Sequence, residues 1–301
     1  MNRGYAARLL ALVGITAIWG GTFVMVKDAV NVYPVAGFLG YRFAIAAIVF
    51  LPFVRRVSWA SIRAGLPIGV VMGAAYIVQT IGLHFTLASD TGLITGLSAI
   101  LVPLIDWLVF RIRITGLTIG ALAIAIVGLI LLVGGLPKQL ALGDALVALS
   151  AIGFAVQIIL LSRRSPSYDT PSLTLGLMLG AAAVFVAAAM TPMGGGLALP
   201  PPSIWPAILF TAVFASALGF FVQAWAQGKL PATPAAIVLL TEPAWAAFFG
   251  VLLSGNPFPP IRIIGAGLLL ATPIVMTLAE SRAGRRILIY VRGERGEPAA
   301  A

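Results

Sequence analysis

The sequence predicts an all-α membrane protein, with ten transmembrane helices arranged as two inverted five-helix repeats. Three observations lead there. The 301 residues are 60% hydrophobic and only 9% charged, with a mean hydropathy of +1.07. A soluble domain carries about a quarter charged residues and has no interior large enough to hide so much apolar surface. The apolar residues also fall into ten stretches of membrane-crossing length, and the second half of the chain repeats landmarks of the first.

A helix needs about 20 mostly apolar residues to cross the hydrocarbon core. Between charged or Pro/Gly-rich breaks, such stretches run over 8–30, 34–54, 63–87, 90–110, 115–134, 143–163, 171–191, 204–228, 232–254 and 261–280. The first is longer than the apolar core of a signal peptide and has no small-residue cleavage site before the next stretch. None alternates with a period of two, which argues against barrel strands.

Lys and Arg set the orientation. With the N-terminus inside, fifteen of the 19 fall on inner segments, among them Arg55, Arg56, Arg63, Arg111, Arg113, Arg163, Arg164 and the five arginines of the tail. Lys138 and Arg262 are outside, and Lys27 and Arg42 lie within spans. This bias predicts both termini in the cytoplasm of a plasma (bacterial inner) membrane protein. The net charge of +10 then reflects topology, and no nucleic-acid partner is expected. The basic tail 281–301 can touch anionic lipid.

The repeat is visible in four places. Ala11 to Ile18 (ALVGITAI) matches Ala145 to Ile152 (ALVALSAI). Tyr76-Ile-Val-Gln79 matches Phe220-Phe-Val-Gln223, Pro103 matches Pro243, and Gly120-Ala121 matches Gly265-Ala266. The matches keep their order, so the chain divides into repeats at 1–140 and 141–280. Five spans per repeat is an odd number, so the second repeat enters the membrane from the opposite side. Such inverted repeats place a substrate site at their interface near the midplane and support alternating access.

At these residues the sequence resembles the drug/metabolite transporter superfamily, and within it the ten-helix EamA-type exporters. Trp19-Gly20-Gly21-Thr22-Phe23 with Lys27 is similar to that family's opening, as are Arg42-Phe43, Pro103 and Glu242-Pro243. A glutamate common in members just after the fourth and ninth spans is replaced here by Arg111 to Arg113 and Ser254-Gly255-Asn256. The resemblance implies export of amino acids or other small metabolites.

Charged groups inside the bilayer cost about 2.5–3.5 kcal/mol on the insertion scale, so each needs a reason. Glu242 sits deep in the ninth span, and Arg42 lies at comparable depth. They form a structural ion pair, or Glu242 binds a proton or an amino group during turnover; both readings are open. Lys27 either anchors the outer interface by snorkelling or attracts a substrate carboxylate. Asp106 reads as a surface ion pair with Arg111 and Arg113. Tyr76 and Gln79 share a face of the third span, and Gln223 and Gln227 share a face of the eighth. Gln79 and Gln223 are repeat-related, which points to opposite sides of one cavity joined by Gln157. Trp19, Trp225 and Trp245 are candidate walls or packing residues. Pro103 and Pro243 are candidate helix breaks beside the site. Gly65, Gly69 and Gly73 form a small-residue stripe for close helix packing.

Other classes fit less well. There is no cysteine and one histidine, His84, so no metal or cofactor site is expected. Ser98 with His84 is a weak pairing for an intramembrane protease, and no acid-rich motif supports an enzyme acting on lipid-linked substrates. A phosphate- or sugar-type exchanger would need clustered cations. The expectation is a gradient-driven or facilitated carrier, not an enzyme, whose partners are the bilayer, a small-molecule substrate and protons where transport is coupled. A single chain supplies both repeats, so no oligomer is required.

Overall fold

The structure, a computed structural model, describes residues 3–54, 57–133, 142–191, 194–254 and 259–276. Arg55, Arg56, Lys138 and the basic tail 281–301 lie outside the described residues. The helices are α1 (Arg3–Val32), α2 (Val35–Phe50), α3 (Trp59–Phe85), α4 (Ala88–Thr95), α5 (Leu97–Phe110), α6 (Gly116–Val133), α7 (Leu142–Arg164) and α8 (Thr170–Ala189). Next come α9 (Trp205–Phe210), a π-helical segment (Thr211–Leu218), α10 (Gly219–Gln227), α11 (Ala232–Leu239) and α12 (Glu242–Ser254). The last described helix is α13, Pro260–Met276. Among the described residues, eight helical stretches are long and apolar enough to cross a membrane, while α6 and α13 are apolar but shorter there.

Local chemistry explains several boundaries. Ser58 caps α3 by accepting from the Ser61 amide, and Asp169 caps α8 by accepting from the Ser172 amide, which satisfies free N–H groups of the first turn. Pro171 occupies the first turn of α8, where its missing N–H costs nothing. Arg163 and Arg164 close α7 at the end that favours cations.

Two spans are broken. The fourth breaks at Gly96, between α4 and α5, and the ninth at Leu240-Thr241, between α11 and α12. Pro243 stands at the second position of α12, just after its break. Pro103 lies inside α5, seven residues beyond Gly96, and does not interrupt its span. Of the two candidate prolines, Pro243 therefore lies beside a break and Pro103 within a helix.

Some helix pairs of the first half have counterparts in the second. α1 packs on α12 and α10, as α7 packs on α5 and α3; α2 packs on the π-helical segment, as α8 packs on α3. The pairs α2–α8 and α5–α11 each join corresponding spans. The α3–α8 contact is the closest. A Cβ at Gly65 or Gly69 would lie 2.2 or 2.1 Å from the carbonyls of Leu173 and Leu177, and one at Gly176 or Gly180 would lie 2.2 Å from those of Ile62 and Leu66. The small-residue stripe on α3 therefore meets a second stripe on α8, backbone against backbone.

Candidate functional site

A small cavity of about 70 Å³ lies between the two halves, with walls from α1, α2, α3, α5, α7, α10 and the broken helices. That is room for on the order of five waters. Trp19, Arg42, Tyr76, Gln79, Gln157, Gln223, Glu242 and Pro243 all line it. These residues span 224 positions of sequence, and only helix packing brings them together.

Its walls are aromatic. Tyr76 meets Phe154 edge-on at 5.1 Å and Phe43 at 5.5 Å. Phe220, the repeat counterpart of Tyr76, lies 6.1 Å from it and 5.3 Å from Trp19. The indole N–H of Trp19 donates to the Ala215 carbonyl at 2.8 Å, so this tryptophan is locked as a wall. A Cβ at Gly219 would fall 2.7 Å from that nitrogen, which explains the glycine there.

The polar groups differ in how fully they are engaged. Gln79 donates to Thr95 Oγ1 at 2.7 Å, holding α3 to α4. Gln157 donates to Gln223 Oε1 at 3.3 Å, joining α7 to α10. Arg42 is 3% exposed; its Nε donates to Ser216 Oγ at 2.8 Å, and its guanidinium lies 5.4 Å from the Tyr76 ring and 5.3 Å from that of Phe43. Both Ala215 and Ser216 belong to the π-helical segment, a geometry frequent at functional sites. Glu242 follows the break in the ninth span. Among the described residues its carboxylate has no ion-pair or hydrogen-bond partner, and the ion pair identified there is Arg163–Asp106. A structural Arg42–Glu242 bridge is therefore not formed. The two groups face the same cavity from different helices, with Tyr76 within electrostatic reach of both.

Other expected residues lie elsewhere. Lys27 points away from the cavity and donates to the Thr86 carbonyl; Thr86 in turn donates to Asp144 at 2.6 Å. Gln227 is turned onto α7, where it donates to the Ile158 carbonyl at 2.9 Å and to Ser162 Oγ at 2.5 Å. Pro103 lines a second cavity nearer Asp106. Asp106 pairs with Arg163 rather than with Arg111 or Arg113. Trp225 carries the Arg8 guanidinium on its face at 4.3 Å, and Trp245 packs edge-on to Phe248. Exposed His84 sits against Phe85, outside the cavity that Ser98 lines, so the two form no dyad.

Sequence reasoning missed Ser216, Thr95, Phe43, Phe154 and Phe220. Phe220 was within reach, because it opens the repeat match with Tyr76. Nothing local marks Ser216, whose role depends on the π-helical turn. Among the described residues, no group of three His, Cys, Asp or Glu is placed to hold a metal.

Comparison with known proteins places this arrangement in context. The chain matches the EamA-like transporter family twice, at residues 7–134 and 141–278. An uncharacterized transporter of Archaeoglobus fulgidus is 30% identical over 279 residues, covering 92% of this chain and 87% of the relative. The uncharacterized transporter YyaM of Bacillus subtilis is 24% identical, covering 87% and 90% of the two chains. A solved crystal structure at 16% identity superposes with a TM-score of 0.72 over 92% of this chain and 99% of the other, a shared fold.

Proposed function

The chain belongs to the EamA-like transporter family, and from that premise we propose that it is a secondary transporter exporting amino acids or similar small metabolites. The site lies between two inverted repeats, and transport proceeds by alternating access. The observation that carries this reading is the central cavity, where repeat-related Gln79 and Gln223 meet an arginine and an unpaired carboxylate. The counterpart helix pairs of the two halves support equivalent conformations open to either side.

Each polar group has a role. A carboxylate deep in a span needs a cationic partner, and Glu242 takes either a proton or the substrate's ammonium. Arg42, held by Ser216, receives the substrate's carboxylate. Among the described residues, the side chains of Gln157 and Gln223 bond to each other at 3.3 Å, a contact long enough to be exchanged for substrate. Tyr76, Phe154, Phe220 and Trp19 wall the apolar part. Lys27 acts away from this site, as a tether at what the charge bias makes the outer end of α1. A phosphate- or sugar-type exchanger and an enzyme acting on lipid-linked substrates draw less support. The cavity's basic group is Arg42 by itself, and its lining carries no acid cluster.

The test is radiolabelled amino-acid counterflow in proteoliposomes, with and without an imposed pH gradient, comparing the parent with Glu242→Gln. Counterflow by the parent is expected. Proton coupling through Glu242 requires that a pH gradient drive accumulation and that Glu242→Gln abolish this while counterflow survives. A folded parent with no counterflow across a broad amino-acid panel overturns the amino-acid reading.

A further inference from the structure

A second cavity, of about 380 Å³, lies one helical turn from the central one. The same helices line both. α5 contributes Ser98 and Ala99 to the first and Pro103 and Asp106 to the second, and α7 contributes Gln157 to the first and Ser162 and Arg163 to the second. From Ala99 to Pro103 is four residues, or about 6 Å along a helix. The partition between the cavities is therefore thin, and includes the fully buried Val102. The flanking arginines put the second cavity on the side that the charge bias assigns to the cytoplasm.

Its polar equipment is under-used. The Asp106 side chain is 8% exposed, and an ionised carboxylate has about four acceptor positions. Among the described residues, the contact that Asp106 makes through its carboxylate is a single one, 3.4 Å long, to one Arg163 nitrogen. A good charge-assisted bond is about 2.7–2.9 Å and often paired. Arg163 is 40% exposed and lies flat on Phe110, its guanidinium carbon 3.3 Å from the ring centroid. It therefore has an aromatic contact besides the carboxylate. Arg113, Thr115 and Thr233 also line the cavity, and among the described residues no ion pair ties Arg113 to Asp106.

We infer that this vestibule is a second binding site for a small zwitterion, whose ammonium group displaces Arg163 from Asp106 while its carboxylate is received by Arg113. The inference rests on the carrier reading and deepens it. Substrate collected at the vestibule stands one helical turn from the cavity that Glu242 and Arg42 line, with the same pairing of one acid and one arginine. The central cavity is too small to hold a zwitterion and its water at once, whereas the vestibule falls in the range of about 300–1,000 Å³ typical of small-molecule sites.

The chain has no cysteine, so a single reporter can be introduced directly. In Thr233→Cys protein, maleimide labelling would be followed in the presence of each of the twenty L-amino acids, with their deaminated acids and decarboxylated amines as controls. At least one amino acid slows labelling, and its controls do not. Adding Asp106→Asn raises the half-protecting concentration about tenfold or more. Adding Arg163→Gln leaves it unchanged or lowers it, because the competing cation is gone; a purely structural ion pair predicts equal loss from both variants. Labelling with no protection, or protection that survives Asp106→Asn, overturns the site. Counterflow without protection leaves the carrier reading standing and removes the vestibule. Protection without counterflow does the reverse.

Discussion

Gly69→Ala is the sharpest probe of how the two halves are joined. The added Cβ would lie 2.1 Å from the Leu177 carbonyl oxygen, 2.9 Å from its carbon and 3.0 Å from the Ala181 nitrogen. All three are backbone atoms, so no side chain can swing away. α3 and α8 must separate by more than an ångström, which also opens the neighbouring contacts at Gly65, Gly176 and Gly180. Overpacking of this kind costs about 1–3 kcal/mol. Alanine also favours helix over glycine by about 1 kcal/mol, and a control removes that contribution. Gly120→Ala, on α6, adds a Cβ with nothing within 4 Å and keeps only the helical gain. At about 2–4 °C per kcal/mol, Gly69→Ala should melt about 2–12 °C below Gly120→Ala. Thermal unfolding of detergent-solubilised protein, read by size-exclusion fluorescence, measures the difference. A Gly69→Ala melt at or above that of Gly120→Ala would refute the backbone contact.

Two further outcomes follow from the geometry. Arg42→Lys keeps the charge but loses the Nε bond to Ser216 and the planar contact with Tyr76; the half-saturating substrate concentration in counterflow should rise about tenfold, and an unchanged value would remove Arg42 from the site. Tyr33, between α1 and α2, donates to the Ala198 carbonyl, and burial first, then neighbouring Tyr41, push its pKa up from 10.0. The neutral phenol is therefore favoured by folding: its contribution is complete below pH 10 and is lost as pH rises through the raised value. The parent should lose more stability than Tyr33→Phe in melts at rising alkaline pH, and parallel curves would count against this bond.

Much of the candidate site was legible because related positions carry related residues. Gln79 and Gln223 line one cavity, and Tyr76 faces Phe220 there. Arg42 and Glu242 were singled out by cost, since neither charge belongs in hydrocarbon without a task. Their relation was not legible. Depth along a helix follows from counting residues, but rotation about the helix axis depends on packing, and that rotation sends Arg42 to Ser216 and leaves Glu242 unpaired. Gln227 shows the same limit: one turn beyond Gln223 on the same helix face, it meets α7 instead of the cavity.

The helix breaks show where local rules are insufficient. Proline removes a donor at Pro103 as at Pro243, yet α5 runs through Pro103 and its span breaks at Gly96. Whether a freed carbonyl ends a helix depends on what neighbouring helices offer it. Hydropathy and charge bias are sums along the chain, so the sequence by itself determined the membrane class and the all-helical character. Which polar group meets which is set by distances between residues far apart in the chain. Only the tertiary structure decided the Arg42–Ser216 bond, the Asp106–Arg163 pair and the solitary carboxylate of Glu242.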